Sequence, residues 1–414
     1  MNIKLKSSTC NFQSSIQITG SKSETNRLLL LQALYPNITL ENTSNSDDSE
    51  VMTKVLQNSQ LPTKNSQHHD IHHAGTAMRF LTAYFATQED REVLLTGSAR
   101  MKERPIKILV EALQQLGAEI SYEGNEGFPP IKIKGKKLSQ TKVSLSADIS
   151  SQYISALLLI APKLENGLEL TLEGKITSIP YIKMTLALLN ENGIETSFKE
   201  NKISVHHKST IVNHKSTIES DWSSASYFYS IVALSKGGTQ IILSSYKQDS
   251  LQGDAALAEI YKNFGVKTIF NTDNSITILK SEIRNQQSAI FNLNDSPDIA
   301  QTIAVTCFGL GIGCHLTGLH TLKIKETDRL EALKIELQKL GAKIAVTNDT
   351  LTLEVSSTIN PGIAIDTYND HRMAMAFAPL ALKTDIIINN AEVVSKSYPD
   401  FWNDLKTIGF NIPE

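Results

Sequence analysis

Apolar and polar positions alternate along the 414-residue chain in blocks that recur. An amphipathic helical stretch, a glycine and a strand-like run appear together as Leu113-Gln-Gln-Leu-Gly117-Ala-Glu-Ile, and again as Leu189-Asn-Glu-Asn-Gly193-Ile-Glu-Thr. Tyr261-Lys-Asn-Phe-Gly265-Val-Lys-Thr and Leu337-Gln-Lys-Leu-Gly341-Ala-Lys-Ile follow, with a worn copy at Leu405-Lys-Thr-Ile-Gly409-Phe-Asn-Ile. These glycines lie 76, 72, 76 and 68 residues apart. Glycine just past a helix end takes the left-handed conformation that closes the helix without a Cβ clash. An earlier member, residues 51–61, keeps the helical pattern but has Ser59 where the glycine would fall. Six units of 69 residues account for the length.

A second helix is predicted earlier in each unit, where a small or polar cluster precedes an apolar run. The six starts are Ser21-Lys-Ser, Ala74-Gly-Thr, Ser150-Ser-Gln, Asp221-Trp-Ser-Ser, Asp295-Ser-Pro-Asp and Asn369-Asp-His-Arg. Alternating runs at 92–95, 168–172, 239–243 and 386–389 read as strands between the helices. Each unit therefore predicts strand–helix–strand–helix–strand–strand. The expected class is α/β, with two similar lobes, each of three βαβαββ units with helices inside and sheets outside. The lobes would be residues 20–217 and residues 1–19 joined to 218–414.

Composition narrows the function classes. With 41% hydrophobic and 20% charged residues, the chain has ample material for large cores. No apolar run approaches the ~20 residues that span a bilayer. The start Met-Asn-Ile-Lys-Leu-Lys reads as a strand rather than a signal or transit segment, so a cytoplasmic location with no membrane partner is expected. A net charge of −3 supplies no basic field for nucleic acid. Cys10, Cys307 and Cys314 form neither a disulfide framework nor a paired CxxC site. His68-His-Asp-Ile-His-His73 reads as a polar edge strand, so no metal is expected. Neither a phosphate-binding Gly-rich loop nor a G-x-S-x-G elbow is present, which argues against a nucleotide cofactor and a hydrolase triad.

Residues with chemistry occupy two equivalent slots of the repeat. The first is the start of the first helix: Lys22, Ser23, Arg27, Gly75, Arg79, Ser150, Ser151, Gln152, Asp298, Asp370, His371 and Arg372. The second is the loop and opening turn of the second helix: Lys102, Arg104, Ser178, Tyr181, Lys325, Glu326, Arg329 and Lys396. Helix dipoles disfavour cations at N-termini by a few tenths to about 1 kcal/mol each, yet cations gather there. Free N–H groups combined with Lys and Arg make anion sites, which points to small polyanionic ligands. In Lys325-Glu-Thr-Asp-Arg329 a helix would put Lys325 and Arg329 on one face with Glu326 beside it, a pattern suited to acid–base work on a phosphorylated substrate.

These segments resemble those of the EPSP synthases, the 3-phosphoshikimate 1-carboxyvinyltransferases. The resemblance rests on Gly20-Ser-Lys-Ser23 with Asn26-Arg27, Ala74-Gly-Thr-Ala-Met-Arg79, Met101-Lys-Glu-Arg-Pro105 and Ser150-Ser-Gln152. It continues through Asp221-Trp-Ser-Ser-Ala-Ser-Tyr227, Pro297-Asp298, Lys325-Glu-Thr-Asp-Arg329, Tyr368-Asn-Asp-His-Arg372 and Lys396-Ser-Tyr-Pro-Asp400. It implies two lobes of three βαβαββ units, with the N-terminal strand in the C-terminal lobe. The implied reaction transfers the carboxyvinyl group of phosphoenolpyruvate to the 5-hydroxyl of shikimate 3-phosphate, releasing phosphate, with no metal or organic cofactor and as a monomer. By resemblance, Ser23, Arg27, Ser150, Ser151, Ser178, Thr321 and Lys325 hold shikimate 3-phosphate, with Tyr181 nearby, while Gly75, Arg104, Arg329, Arg372 and Lys396 hold phosphoenolpyruvate. Lys22 and Gln152 touch both. Asp298 fits the base for the 5-hydroxyl and also lies against shikimate 3-phosphate, and Glu326 with Lys22 fits the proton donor.

Three positions depart from the family pattern. Thr321 stands where Asn is usual, His73 replaces an Asn before Ala74-Gly75, and Phe80 replaces the Pro usual after Arg79. The last two are expected to alter the phosphoenolpyruvate wall. Glyphosate, a phosphoenolpyruvate mimic in this family, is expected to be crowded by a methyl at Gly75 more than the substrate is. Two alternatives stay open: an enolpyruvyl transferase acting on UDP-N-acetylglucosamine, which carries Lys-Asn where Lys22-Ser23 stands here, and a non-catalytic ring-forming scaffold of six similar units.

Overall fold

The computed structural model describes residues 1–6, 13–59, 67–147, 150–174, 176–281 and 288–413. Cys10 and the last two residues of the 51–61 stretch lie outside them. The chain divides into two units, Gly20–Ile218 and Met1–Thr19 with Glu219–Glu414.

In the continuous unit, the helices Lys22–Leu34, Gly75–Ala86 and Ser151–Ile160 pack on one another and are buried on nearly every side. Runs such as Leu28–Leu31 and Ala156–Ile160, apolar all round the helix, demand that enclosure. Two four-stranded sheets with one topology surround them. In the first the order is Gln67–Asp70, Glu92–Thr96, Ile131–Lys134 and Glu119–Tyr122, a parallel pair followed by an antiparallel hairpin. The second repeats this with Lys142–Ser146, Leu168–Glu173, Lys202–Val205 and Thr196–Lys199. Alternation puts Val93, Leu95, Ile131 and Ile133 in the core and leaves Glu92 and Lys132 to pair outside at 2.7 Å. The third sheet is two-stranded, Ile38–Glu41 parallel to His214–Thr217, so it is completed from the far end of the unit.

The discontinuous unit follows the same plan. Its inner helices are Trp222–Leu234, Ala300–Leu310 and His371–Phe377. Gln13–Ile16 joins Gln240–Leu243, Ile276–Lys280 and Val266–Phe270 in one sheet. Ser288–Asn292, Gly313–Thr317, Leu351–Leu353 and Ile344–Val346 form the next. Ile363–Ile365, Ile386–Ile388 and Ile3–Leu5 form the third, the last strand coming from the opposite end of the chain. The architecture is α/β with buried helices and outer sheets, as the repeat predicts. Gly117, Gly193, Gly265, Gly341 and Gly409 all have positive φ, between 71° and 101°, so each repeat glycine closes its helix in the left-handed region.

One local expectation is corrected. Lys325 and Glu326 do not lie on a helix with Arg329. The helix spans Arg329–Lys339, and Asp328 caps it by accepting from the N–H groups of Leu330 and Glu331, each at 3.2 Å. Asp is a strong N-cap, and it starts the helix one residue after itself. Lys325 is in extended backbone.

Candidate active site

Each unit gathers its own cluster of the candidate residues. In the continuous unit, the cluster is built on helix N-termini. The Lys22–Leu34 and Gly75–Ala86 helices start at Ser21 and Ala74, and neither start has a side-chain cap. Their leading N–H groups therefore remain available to an anion. Lys22 Nζ lies 3.5 Å from Asp48, and His73 Nε2 lies 3.9 and 4.0 Å from Asp47 and Asp48. His73 thus faces the same Asp48 that pairs with Lys22.

Gly75 lies directly beneath Arg104: a Cβ on it would come within 2.4 Å of Arg104 Nη1. The Arg104 side chain makes no hydrogen bond or ion pair among the described residues, so its guanidinium is free to receive a ligand. Arg79 is buried and structural. It donates to Gly75 O at 2.9 Å and to Pro105 O at 3.2 Å, tying the helix to the loop that carries Arg104.

Arg27 is enclosed and donates to Ser23 O at 2.7 Å, Thr185 Oγ1 at 2.8 Å, Ser155 Oγ at 3.0 Å and Tyr181 O at 3.4 Å. Burial pulls its pKa down to about 10, against the opposing fields of Tyr181 and Glu24. The Phe80 ring lies 5.5 Å from Arg27 Cζ and is fully buried. An enclosed ring is not part of an open wall, so what Phe80 alters is the support of Arg27. Ser150 caps the Ser151–Ile160 helix by accepting from Gln152 N at 3.3 Å, and Gln152 Nε2 donates to Thr76 Oγ1 at 3.2 Å. Ser178 sits before the Ile179–Glu191 helix at φ 53°, a left-handed conformation that costs a non-glycine residue about 1–3 kcal/mol. Tyr181 opens that helix.

The discontinuous unit holds a denser cluster centred on Arg329, which is only 2% exposed. Its Nε donates to Asp370 Oδ2 at 2.7 Å, Nη1 to Asp298 Oδ1 at 2.8 Å and Nη2 to Glu326 Oε2 at 2.7 Å. The two acid–base candidates, 28 positions apart in sequence, therefore sit on the two amino groups of one guanidinium. Lys325 Nζ lies 3.5 Å from Asp298 Oδ1 and Arg372 Nη2 lies 3.2 Å from Asp298 Oδ2. Burial alone would push the Asp298 pKa up. Arg372, Lys325 and Arg329 together overcome that penalty and hold the carboxyl ionised, well below the usual Asp range. Burial likewise lowers the Lys325 pKa, although Asp298 pulls it the other way.

Asp370 caps the His371–Phe377 helix through Arg372 N at 2.8 Å. The turn before it carries Tyr368 and Asn369 at φ 53° and 55°, and Lys396 Nζ donates to Asn369 O at 2.6 Å. Thr321 lies in the 3-10 turn His320–Ile324, its hydroxyl buried and without a hydrogen-bond partner among the described residues. Two groups of this cluster, Ser223 and Asp254, lie at positions that sequence spacing does not mark as part of a site. Arg372 Nη2 donates to Ser223 Oγ at 3.3 Å, and Ser223 Oγ donates to Asp254 Oδ2. Among the described residues no group of three His, Cys, Asp or Glu is placed to hold a metal, and no helix is long and apolar enough to cross a membrane.

The fold agrees with what the chain is similar to. The family described as EPSP synthase (3-phosphoshikimate 1-carboxyvinyltransferase) matches residues 44–405. A Bacteroides fragilis protein named 3-phosphoshikimate 1-carboxyvinyltransferase is 43% identical over 99% of this chain and 98% of its own length. A Colwellia psychrerythraea protein of the same name is 35% identical over 95% and 96%. The solved EPSP synthase of Acinetobacter baumannii superposes with TM-score 0.79 at 20% identity, covering 100% of this chain and 99% of that one. The enolpyruvyl transferase NikO from Streptomyces tendae superposes with TM-score 0.74 at 14% identity over 100% and 98%. At those identities the structures speak for the fold, and the sequence relatives speak for the family. The chain belongs to the EPSP synthase family.

Proposed function

We propose that this protein transfers the carboxyvinyl group of phosphoenolpyruvate to the 5-hydroxyl of shikimate 3-phosphate, giving 5-enolpyruvylshikimate 3-phosphate and phosphate. The observation that carries this reading is the pairing of Asp298 and Glu326 on one guanidinium, because addition–elimination needs a base and an acid acting together. Asp298, held ionised, takes the proton of the 5-hydroxyl as its oxygen attacks C2 of phosphoenolpyruvate. Glu326, with Lys22, delivers a proton to the methylene carbon, giving a tetrahedral intermediate. The bond from C2 to the phosphate oxygen then breaks, a proton leaves the methyl group, and phosphate departs.

The charged inventory follows from the ligands. Two phosphates and two carboxylates repel one another unless fixed cations surround them. Lys22, Ser23, Arg27, Ser150, Ser151, Gln152, Ser178, Tyr181, Asp298, Thr321 and Lys325 are assigned to shikimate 3-phosphate. Lys22, Gly75, Arg104, Gln152, Arg329, Arg372 and Lys396 are assigned to phosphoenolpyruvate. The uncapped helix starts at Lys22 and Gly75 and the unengaged Arg104 support the anion-binding part of this assignment. The protein is proposed to act as a cytoplasmic monomer.

Phosphate release from shikimate 3-phosphate and phosphoenolpyruvate tests the activity, with UDP-N-acetylglucosamine as the control acceptor. Asp298→Asn and Glu326→Gln should each lower turnover by about 10²–10⁴-fold with much smaller changes in substrate affinity. Near-native turnover in both variants would refute the acid–base roles.

A further inference from the structure

Arg329 and Arg372 are held in opposite ways. All three nitrogens of Arg329 are bonded to carboxylates. Arg372 uses Nη2 alone, toward Asp298 and Ser223, and its Nε has no hydrogen-bond partner among the described residues. Arg372 therefore has donors to offer an incoming anion, but few contacts that fix its direction. A bidentate clamp works only when its plane is fixed beforehand.

We propose that Asp254, acting through the Ser223 hydroxyl, is a positioning residue that orients the Arg372 guanidinium for phosphoenolpyruvate; this rests on the assignment of Arg372 to that substrate.

Both ends of the relay stand on rigid elements. Ser223 is in the first turn of the Trp222–Leu234 helix, which Asp221 caps by accepting from Ser224 N at 2.7 Å. Asp254 lies in the short turn Gly253–Ala256. Gln252, just before that turn, locks the two elements together. Its Oε1 accepts from Trp222 N and its Nε2 donates to Ser220 O, each at 2.9 Å. Asp254 is only 4% exposed and its Oδ1 has no hydrogen-bond partner among the described residues. Burying a carboxyl with one oxygen unpaired is costly, and nothing in core packing calls for an acid here. Burial pushes its pKa up to about 7, Asp298 adds to the rise, and Arg372 opposes it, so Asp254 and Arg372 feel each other's field. An acceptor that draws the Ser223 proton toward itself leaves the Oγ lone pair facing Arg372, and so sets the donor direction.

The test compares Ser223→Ala, Asp254→Asn, their double variant and Ser223→Thr in the full-length protein, with Arg372→Gln as the reference. Ser223→Ala should raise the KM for phosphoenolpyruvate about tenfold, the scale of one hydrogen bond to a charged group, and Asp254→Asn, which keeps an acceptor oxygen but loses the charge, should raise it by less. Turnover and shikimate 3-phosphate affinity should stay within about twofold, a split that a merely structural role would not produce. The double variant should lose no more than Ser223→Ala, because that change already breaks the relay that Asp254→Asn only weakens. Ser223→Thr, which keeps the hydroxyl, should recover most of the loss. Asp254→Asn replaces a buried ionisable carboxyl at constant shape and should melt no lower than the native protein, so a folding defect would not mask the result. An unchanged KM in Ser223→Ala while Arg372→Gln raises it would overturn the relay alone. An unchanged KM in Arg372→Gln would remove the premise and the proposal together, and additive losses or equal losses for both substrates would overturn it as well.

Discussion

Asp298 carries three cationic neighbours, and that makes it a poor base in the ligand-free protein. A base works best when its pKa approaches the working pH. On the assignments proposed above, phosphoenolpyruvate and shikimate 3-phosphate would bring anions to Arg372, Arg329 and Lys325, and each anion would weaken the field that holds Asp298 ionised. The substrates would then tune the base proposed to act on them. The profile of kcat/KM reports the free protein, where Asp298 is depressed; the profile of kcat reports the complex, where it should be relieved. The acidic limb of kcat should therefore lie at higher pH than that of kcat/KM, and coincident limbs would refute this coupling. At the same scale, Gly75 is constrained by Arg104 rather than by a ligand alone. The methyl of Gly75→Ala would push the Arg104 guanidinium aside, a movable side-chain end. KM for phosphoenolpyruvate should rise roughly tenfold, about one charge-assisted hydrogen bond, with a larger rise in the inhibition constant for glyphosate. Equal losses together with a lowered melting temperature would mark Gly75 as a turn residue only. None of these pairings was legible in sequence. Cations and carboxylates could be assigned to helix starts, but Lys22 with Asp48, or Ser223 with Asp254, are long-range choices that no local spacing encodes.

Elements were more readable, because their signals are local. The helix starts, the core strands and the left-handed glycines follow from period, cap and turn chemistry. The misplaced helix at Lys325 shows where that logic breaks. Lys325-Glu-Thr-Asp-Arg329 has helical spacing throughout, but Asp328 competes as a cap, and its contacts with Leu330 N and Glu331 N begin the helix late. The consequence is chemical: released from the helix, Lys325 and Glu326 reach Asp298 and Arg329 from the bend that precedes it. Asp328→Ala should cost about 1 kcal/mol. It should lower the melting temperature by about 2–4 °C if the unit melts independently. It should also cut turnover, because the start of the Arg329 helix frays; a melting shift with unchanged turnover would separate the cap from the site.

At the scale of the whole molecule, the two units differ in how the chain supplies them. The Gly20–Ile218 unit is drawn from one continuous stretch, including the His214–Thr217 strand that closes its smallest sheet. The other unit needs Ile3–Leu5 and Gln13–Ile16 as strands in two of its sheets, and Leu5, Ile16 and Ile18 are buried in its core. A fragment of residues 20–218 should therefore melt cooperatively by itself. A fragment beginning at residue 219 should not, unless a peptide of residues 1–19 is supplied. Cooperative melting of the second fragment alone, followed by circular dichroism, would contradict this account.

That strand from the opposite end of the chain also imposes an order in time. On the ribosome, Ile3–Leu5 is made long before Ile386–Ile388, the strand it pairs with in register Ile3 to Ile388. At about 5–20 residues per second, the interval is roughly 20 to 80 s. During that wait the continuous unit can finish folding, while the early strand has no partner to join. A chain that stops short of Ile386 never acquires one, and its Ile3 and Leu5 stay exposed to chaperones and proteases. Pairing the two extremes of the chain thus makes the last-built sheet a check that translation has run through to it.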